Sequence, residues 1–235
     1  QAVLPNADSD ARTVSVGYLA LPPDASSVGA GFEARWSGWY AHFPWEDHRN
    51  GRPDMIDNVI VPALNDWANG NEGKLDRIRL AFGFGEQRWI EERALERYEL
   101  LYEAGLVSES KRNSDRTCDK PTFGEPMASD HRRILATAIS RLRGKLKYRP
   151  VLFELMKDRF TLSALQVAAE GILGLSLHKQ NFRRSLDRTE LVEGTGQMET
   201  GTGGRPAEYF RFRREIISRR AVSGLTMPVS RREAN

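Results

Sequence analysis

Apolar positions recur at helical spacing in the last third of the 235-residue chain. The first such helix is predicted over residues 161–173, where Thr161, a residue type that caps helix N-termini, precedes the first apolar position and Gly174 follows the last. After a short turn a second helical pattern covers residues 178–189, in which Phe182 and Leu186 lie four positions apart and share one face. The pattern predicts two helices that pack together across a tight turn.

A glycine-rich segment with strand patterns on both sides follows this helix pair. Its glycines are Gly194, Gly196, Gly201, Gly203 and Gly204, and the second strand pattern covers residues 207–213. Helix, turn, helix and hairpin is the order of a winged helix-turn-helix, which places its second helix in the major groove of DNA. Arg205 would lie at the tip of the wing, where a basic side chain reaches a phosphate or the minor groove.

The face of the second helix opposite Phe182 and Leu186 carries side chains that suit DNA bases. Arginine and glutamine pair in a bidentate manner with guanine and adenine edges in the major groove. We predict that this face binds DNA through Lys179, Gln180, Asn181, Arg183 and Arg184. The alternative is that these residues form an ordinary solvated helix surface.

The charges of the chain are divided unevenly between its two halves. Residues 1–130 hold 14 Lys and Arg against 22 Asp and Glu, a net charge of −8, whereas residues 131–235 hold 21 against 10, a net charge of +11. Such a division favours a polyanionic partner for the second half. A chance excess of solvated arginines is the alternative, but the helix spacing and the basic wing point the same way.

The N-terminal pattern mixes strands and helices. Strands are predicted over residues 13–21 and 76–82. Helices are predicted over residues 54–68, where Pro62 must kink or split the helix, and over residues 91–105 and 131–147. The last helix ends before Pro150, because the residue before a proline avoids helical geometry. We therefore expect an α/β (α+β) chain with one domain over residues 1–149 and another over residues 150–235, the second with a basic tail.

Three segments of the C-terminal half resemble the winged-helix domain of Nudix-related transcriptional regulators of NAD metabolism, the NrtR and NadQ type. They are residues 160–166 (FTLSALQ), 181–184 (NFRR) and 204–207 (GRPA). Residues 141–150 resemble the segment that joins this domain to a Nudix-like N-terminal domain. Residues 39–47 and 88–89 resemble the NadQ branch of this family more than the NrtR branch. The resemblance implies a Nudix-like sensor domain over residues 1–149, followed by the winged helix.

The Nudix comparison can be tested on one helix. A Nudix hydrolase gathers carboxylates on one helix face to hold Mg²⁺. Glu99 and Glu103 fall in register with that motif, but Tyr98 replaces its arginine and Tyr102 replaces a metal-ligand glutamate. We therefore expect no catalytic residues, no metal and no hydrolase activity. The two glutamates either hold a metal weakly or form a solvated pair, and we favour the solvated pair.

The resemblance further implies that the degenerate domain senses NAD or a related adenine nucleotide such as ADP-ribose or ATP, with no cofactor required. Trp45, in an aromatic cluster, could stack on adenine, and Arg49 or Arg52 could meet a pyrophosphate. With Glu99 and Glu103 these residues are the candidate ligand-binding set. The alternative for Trp45 is a place in the hydrophobic core.

Composition narrows the remaining classes. The single cysteine, Cys118, excludes an internal disulfide and a multi-cysteine metal site, and the four histidines show no metal-ligand spacing. No apolar run approaches the roughly 20 residues of a membrane span. Residues 1–10 lack the pattern of a signal peptide, so we expect a cytoplasmic protein without membrane partners.

These patterns predict a homodimeric regulator bound to a palindromic operator in duplex DNA. The resemblance implies that it is a repressor of NAD biosynthesis or salvage genes. The first alternative is an active Nudix pyrophosphatase for ADP-ribose or NAD with an appended DNA-binding domain. The second is a module that binds nucleic acid by charge alone.

Overall fold

The computed structural model describes residues 17–21, 36–112, 121–148, 151–199, 206–213 and 215. The described residues before position 149 form helices and no strand. These helices are α1 (Trp39–His42), α2 (Val61–Ala68), α3 (Glu72–Phe82), α4 (Ala94–Glu103), α5 (Ser108–Arg112) and α6 (His131–Tyr148). Short 3-10 turns at Pro44–Glu46 and Glu91–Arg93 and a π-helical turn at Ile56–Ile60 connect them.

The strand predicted over residues 76–82 is wrong, because this segment is the C-terminal part of α3. The side chain of Asn71 caps α3 by accepting a hydrogen bond from the backbone N–H of Lys74 at 3.0 Å. The apolar residues Ile78, Leu80 and Phe82 occupy alternate positions in the sequence, as in a strand. In the structure, however, Leu80 is 40% exposed while Ile78 and Phe82 are buried. The buried positions therefore follow the helical period rather than the strand period.

Gly83 ends α3 with a left-handed φ of +69°. A side chain at this position would meet the next segment, because a Cβ atom would lie 2.5 Å from the backbone nitrogen of Trp89. Glycine therefore allows both the left-handed conformation and the close return of the chain.

The other N-terminal predictions have mixed outcomes. The helix over residues 54–68 is present and is divided as expected, with the π-helical turn Ile56–Ile60 first and Pro62 in the first turn of α2. The helix over residues 131–147 is confirmed as α6. Of the strand predicted over residues 13–21, only residues 17–21 are described, and they are not in a strand. The Nudix-like assignment of residues 1–149 stays a prediction.

The winged helix follows α6 and a 3-10 turn at Val151–Leu155. Its elements are β1 (Phe160–Thr161), α7 (Leu162–Leu173), α8 (Lys179–Thr189), β2 (Val192–Met198) and β3 (Glu208–Phe212). The three strands form an antiparallel sheet in the order β1-β3-β2, with Phe160 opposite Phe210 and Val192 opposite Phe212. The chain thus combines helices with one sheet, and the α/β (α+β) class with a C-terminal winged helix is confirmed.

Helix α6 takes part in both hydrophobic cores. Its residues Ala136 and Ile139 belong to the first core, which α2, α3 and α4 complete. Leu142 and Leu146 belong to the second core, together with the buried side chains of the winged helix. A shift of α6 would therefore change the packing of both hydrophobic cores, one on each side of the predicted domain boundary.

Candidate nucleic-acid interface

Helix α8 presents the face that the sequence predicts. Phe182 and Leu186 are 3% and 0% exposed and pack into the second core. The side chains on the opposite face are exposed: Lys179, Gln180, Arg183, Arg184 and Asp187. Asn181 lies beside this face, is partly buried and already has an interaction within the chain. Four of the five predicted DNA-binding residues of this helix thus face outward, and their contact with DNA stays a prediction.

The turn between α7 and α8 is fixed by two side chains of α7. Glu170 accepts a hydrogen bond from the backbone N–H of Leu177 at 2.8 Å, and Gln166 donates to the Leu177 carbonyl at 3.0 Å. Gln166 also donates to Glu170 at 2.9 Å, so the two side chains orient each other. Helix α8 is therefore held at a fixed angle to α7.

A cavity of about 530 Å³ separates the first turn of α8 from the wing. Lys179 and Arg183 line it from α8, Ser163 from the start of α7, and Met198 and Pro206 from the wing. The sequence did not predict the part that Ser163 and Met198 take in this surface. The pairing of β1 with β3 brings the start of α7 next to the wing.

The wing carries fewer free positive charges than its composition suggests. Glu193 on β2 accepts hydrogen bonds from Arg211 at 2.7 Å and from Arg213 at 3.0 Å. Hydrogen bonds from Arg213 and then Arg211 hold the pKa of Glu193 below its ordinary value, so this carboxylate is ionised opposite both arginines. Arg205 and the basic tail lie outside the described residues.

The structure does not leave Trp45 free to stack on a nucleotide. Its side chain is 0% exposed and packs edge-on against Phe43, with the ring centroids 5.8 Å apart. The proposed ligand contact of Trp45 is therefore corrected, since the residue lies in the core. An indole can stack on adenine only if one of its faces is accessible.

Arg49 and Arg52 form pairs of their own. Arg49 is bound to Asp47 at 2.8 Å, and Arg52 to Asp57 at 3.0 Å and to the Phe82 carbonyl at 3.1 Å. Nη2 of Arg52 is buried and has no hydrogen-bond partner among the described residues.

Glu99 and Glu103 are both paired with arginines. Glu103 forms a two-point pair with Arg77 at 2.7 and 2.8 Å, and Glu99 is 2.5 Å from Arg133. A cavity of about 460 Å³ lies between α3, α4 and α6, and both pairs line it together with Glu96. With three carboxylates against two guanidinium groups, its charge does not favour a pyrophosphate. Among the described residues no three Asp, Glu, His or Cys side chains are placed to hold a metal ion.

The sequence patterns missed a buried charge cluster formed by Glu46, Arg97 and Arg143. Arg97 donates to Glu46 at 2.5 and 2.9 Å, and Arg143 donates to it at 2.5 Å. All three residues are at most 1% exposed. Burial opposes the ionisation of Glu46 most strongly, but the charges and hydrogen bonds of the two arginines outweigh it and lower its pKa. No sequence pattern marks this cluster, because its members lie 51 and 97 positions from Glu46.

His48 next to this cluster makes folding sensitive to pH. Burial lowers its pKa from 6.5 to about 4, more than the nearby Glu46 carboxylate raises it. A lowered pKa means that the stabilisation is complete above pH 6.5 and is lost as the pH falls toward 4, because the unfolded chain takes up the proton first. We expect the wild-type protein to lose about 2 kcal/mol of unfolding free energy between pH 7 and pH 5 through this residue.

Urea unfolding at both pH values measures this effect in the wild type and in His48→Gln. The variant should lose about 2 kcal/mol less than the wild type over the same interval. Equal losses in the two proteins would show that His48 titrates normally.

The sheet, the helix pair and the exposed face of α8 define a winged helix of the kind that binds DNA. Residues 152–212 match the NrtR DNA-binding winged helix domain, in agreement with the helix pair and the three-stranded sheet of this segment. No described helix is both long and apolar enough to cross a membrane.

One curated relative is the ADPR responsive transcriptional repressor NtrR of Acinetobacter baylyi, 41% identical over 86 residues. The match covers 37% of this chain and 34% of the relative, so the chain spans about a third of the length of the curated protein that it matches.

Two solved structures are also similar over part of the chain, the crystal structures of Shewanella oneidensis NrtR complexed with a 27mer DNA and of the same protein alone. Each is 32% identical and matches 40% of this chain and 42% of its own, with TM-scores of 0.35 and 0.34.

Proposed function

We propose that the protein is a transcriptional repressor that binds duplex DNA through α8 and the wing. The observation that carries the proposal is the exposed polar face of α8 within a segment that matches the NrtR DNA-binding domain. A winged helix contacts only a few base pairs, so a homodimer on a palindromic operator supplies the remaining specificity. The genes that it controls, on this proposal, are those of NAD biosynthesis or salvage.

The effector on this proposal is ADP-ribose or a related adenine nucleotide such as NAD or ATP. The support is the relative of Acinetobacter baylyi, which is an ADPR responsive repressor. Arg49 and Arg52 remain the candidates for the phosphates, and on this proposal a phosphate displaces Asp47 from Arg49 or Asp57 from Arg52.

Hydrolysis is not part of the proposed function. The two carboxylates that fall in register with the Nudix motif, Glu99 and Glu103, are bound to arginines. Binding of Mg²⁺ would require both ion pairs to open, because this ion needs carboxylate oxygens free to coordinate it.

Arg184→Ala tests the DNA-binding face. Arg184 is exposed on α8, and loss of a bidentate base contact should weaken operator binding by about 1–3 kcal/mol, with a much smaller loss on random DNA. Fluorescence anisotropy with labelled duplexes at one fixed salt concentration measures both affinities.

The matched control is Arg79→Ala, which removes the same charge from α3, where the side chain is 48% exposed. This variant should bind both duplexes as the wild type does. If Arg184→Ala weakens binding to operator and random DNA equally, the helix contributes charge alone and the base-reading role is wrong.

A further inference from the structure

The last turn of α7 is where the N-terminal helices meet the winged helix. The hydroxyl of Tyr40 donates to the Gly171 carbonyl at 2.8 Å, and Nε of Arg143 donates to the Ile172 carbonyl at 2.9 Å. The backbone N–H of His48 donates to the Gly174 carbonyl at 2.7 Å. Carbonyls at the C-terminus of a helix lack donors within the helix, so these three bonds satisfy a helix end that is partly buried.

The buried charge cluster of Glu46, Arg97 and Arg143 adjoins this contact through Arg143. Arg143, which holds the Ile172 carbonyl, also binds Glu46 and the Glu91 carbonyl. Glu46 is bound in turn by Arg97 of α4. One carboxylate therefore connects α4 and α6 with the end of α7.

The connection continues to the DNA-binding helix. Glu170 and Gln166, in the last two turns of α7, hold Leu177 just before α8 begins. A rotation of α7 thus turns α8 with it, since these bonds leave the joining segment little freedom.

We propose, on the basis of the repressor function above, that Glu46 is a positioning residue that fixes the orientation of the winged helix against α4 and α6 through Arg97 and Arg143. A ligand or dimer contact that moves α4 or α6 then changes the orientation of α8. Buried ion pairs break only at high cost, so the cluster moves as a unit or changes to a different arrangement, which is the behaviour that a conformational switch requires.

The test measures orientation directly in the full chain. Spin labels at Val59→Cys and Val167→Cys, which are 41% and 67% exposed, report the distance between the two parts. Both substitutions are made in a Cys118→Ser background, so that the single native cysteine does not take up a spin label. Labelled chains are diluted into an excess of unlabelled chains, so that only distances within one chain are recorded.

The informative substitution is Arg143→Lys. An ammonium keeps the charge but offers its donors from a single atom, so it does not reproduce the bonds that Nε makes to the Ile172 carbonyl and Nη1 makes to Glu46 and the Glu91 carbonyl. We expect the narrow distance distribution of the wild type to broaden or shift, and binding to a palindromic operator to weaken about tenfold. Affinity for a single half-site should stay unchanged, because α8 itself is intact.

The matched control is Arg133→Lys, on the same helix, whose side chain is 62% exposed. Its distance distribution should equal that of the wild type. Tyr40→Phe, which removes the bond to the Gly171 carbonyl and the 3.4 Å bond from Nη2 of Arg143, leaves the bonds to Glu46 in place and should broaden the distribution less. If Arg143→Lys does not fold, Tyr40→Phe is the variant that tests the proposal.

If Arg143→Lys folds and keeps the wild-type distance distribution, the proposal is overturned. If Arg143→Lys does not fold, a wild-type distance distribution in Tyr40→Phe overturns it. A fall in melting temperature without broadening would mean that the cluster only stabilises the fold. If the wild type itself fails to bind operator DNA, the repressor function is wrong, and the distances alone decide whether Glu46 positions the winged helix.

Discussion

Gly174→Ala should lower the free energy of unfolding by at least about 3 kcal/mol, from left-handed strain and overpacking together. Gly174 ends α7 with a φ of +71°. A Cβ atom here would collide with the backbone carbonyl of Glu46 and lie 2.8 Å from the Tyr40 hydroxyl and 2.9 Å from Nη2 of Arg143. None of these groups can move away easily, because each takes part in hydrogen bonds at the contact between the N-terminal helices and the winged helix. Urea unfolding followed by circular dichroism measures the loss.

Gly171→Ala, three positions earlier on the same helix, is the matched control. Among the described residues, no heavy atom outside the neighbouring residues and the backbone of α7 lies within 4 Å of a Cβ built there, and the residue is inside α7. Alanine should raise the unfolding free energy by about 0.5–1 kcal/mol, because glycine loses more backbone freedom in a helix. A loss at Gly171 as large as at Gly174 would contradict the assigned contact.

Arg97→Met should destabilise the protein by about 3–5 kcal/mol, the usual result of removing one partner from a buried ion pair. Glu46 would lose two of its charged hydrogen bonds, and the carbonyls of Ala81 and Ile90 would lose the donor that Arg97 provides at 2.8 and 3.0 Å. Methionine fills most of the space, so the loss measures unpaired polar groups more than a cavity.

Arg77→Met makes the same chemical change in an exposed pair. Arg77 binds Glu103 with geometry as good as that of the buried pair, but the two side chains are 49% and 42% exposed. Solvent screens such a pair, and we expect a loss below about 1 kcal/mol in the same urea experiment. Similar losses for Arg77→Met and Arg97→Met would show that the cluster around Glu46 is not desolvated.

The winged helix could be predicted from the sequence because its signals are local. Thr161 before α7, the glycine after it and the spacing of Phe182 and Leu186 each specify one feature within a few residues. The exposed face of α8 follows from that spacing, since a helix buries one side only.

The N-terminal part could not be predicted as well because its signals depend on tertiary contacts. Ile78, Leu80 and Phe82 alternate as a strand would, but they lie in α3, where Leu80 is on the exposed side and Ile78 and Phe82 are buried. Trp45 could have been a ligand residue or a core residue by sequence, and packing against Phe43 decides for the core. The arginines that bind Glu46 come from two distant helices, which no local pattern brings together.

The most direct test of the proposed function is binding of the full chain to a labelled palindromic operator from an NAD-biosynthesis promoter, with and without ADP-ribose, at one moderate salt concentration. We predict saturable binding that random DNA does not displace, and a change in Kd of at least about fivefold when ADP-ribose is added. Equal affinity for every sequence, with no response to ADP-ribose, NAD or ATP, would contradict the account.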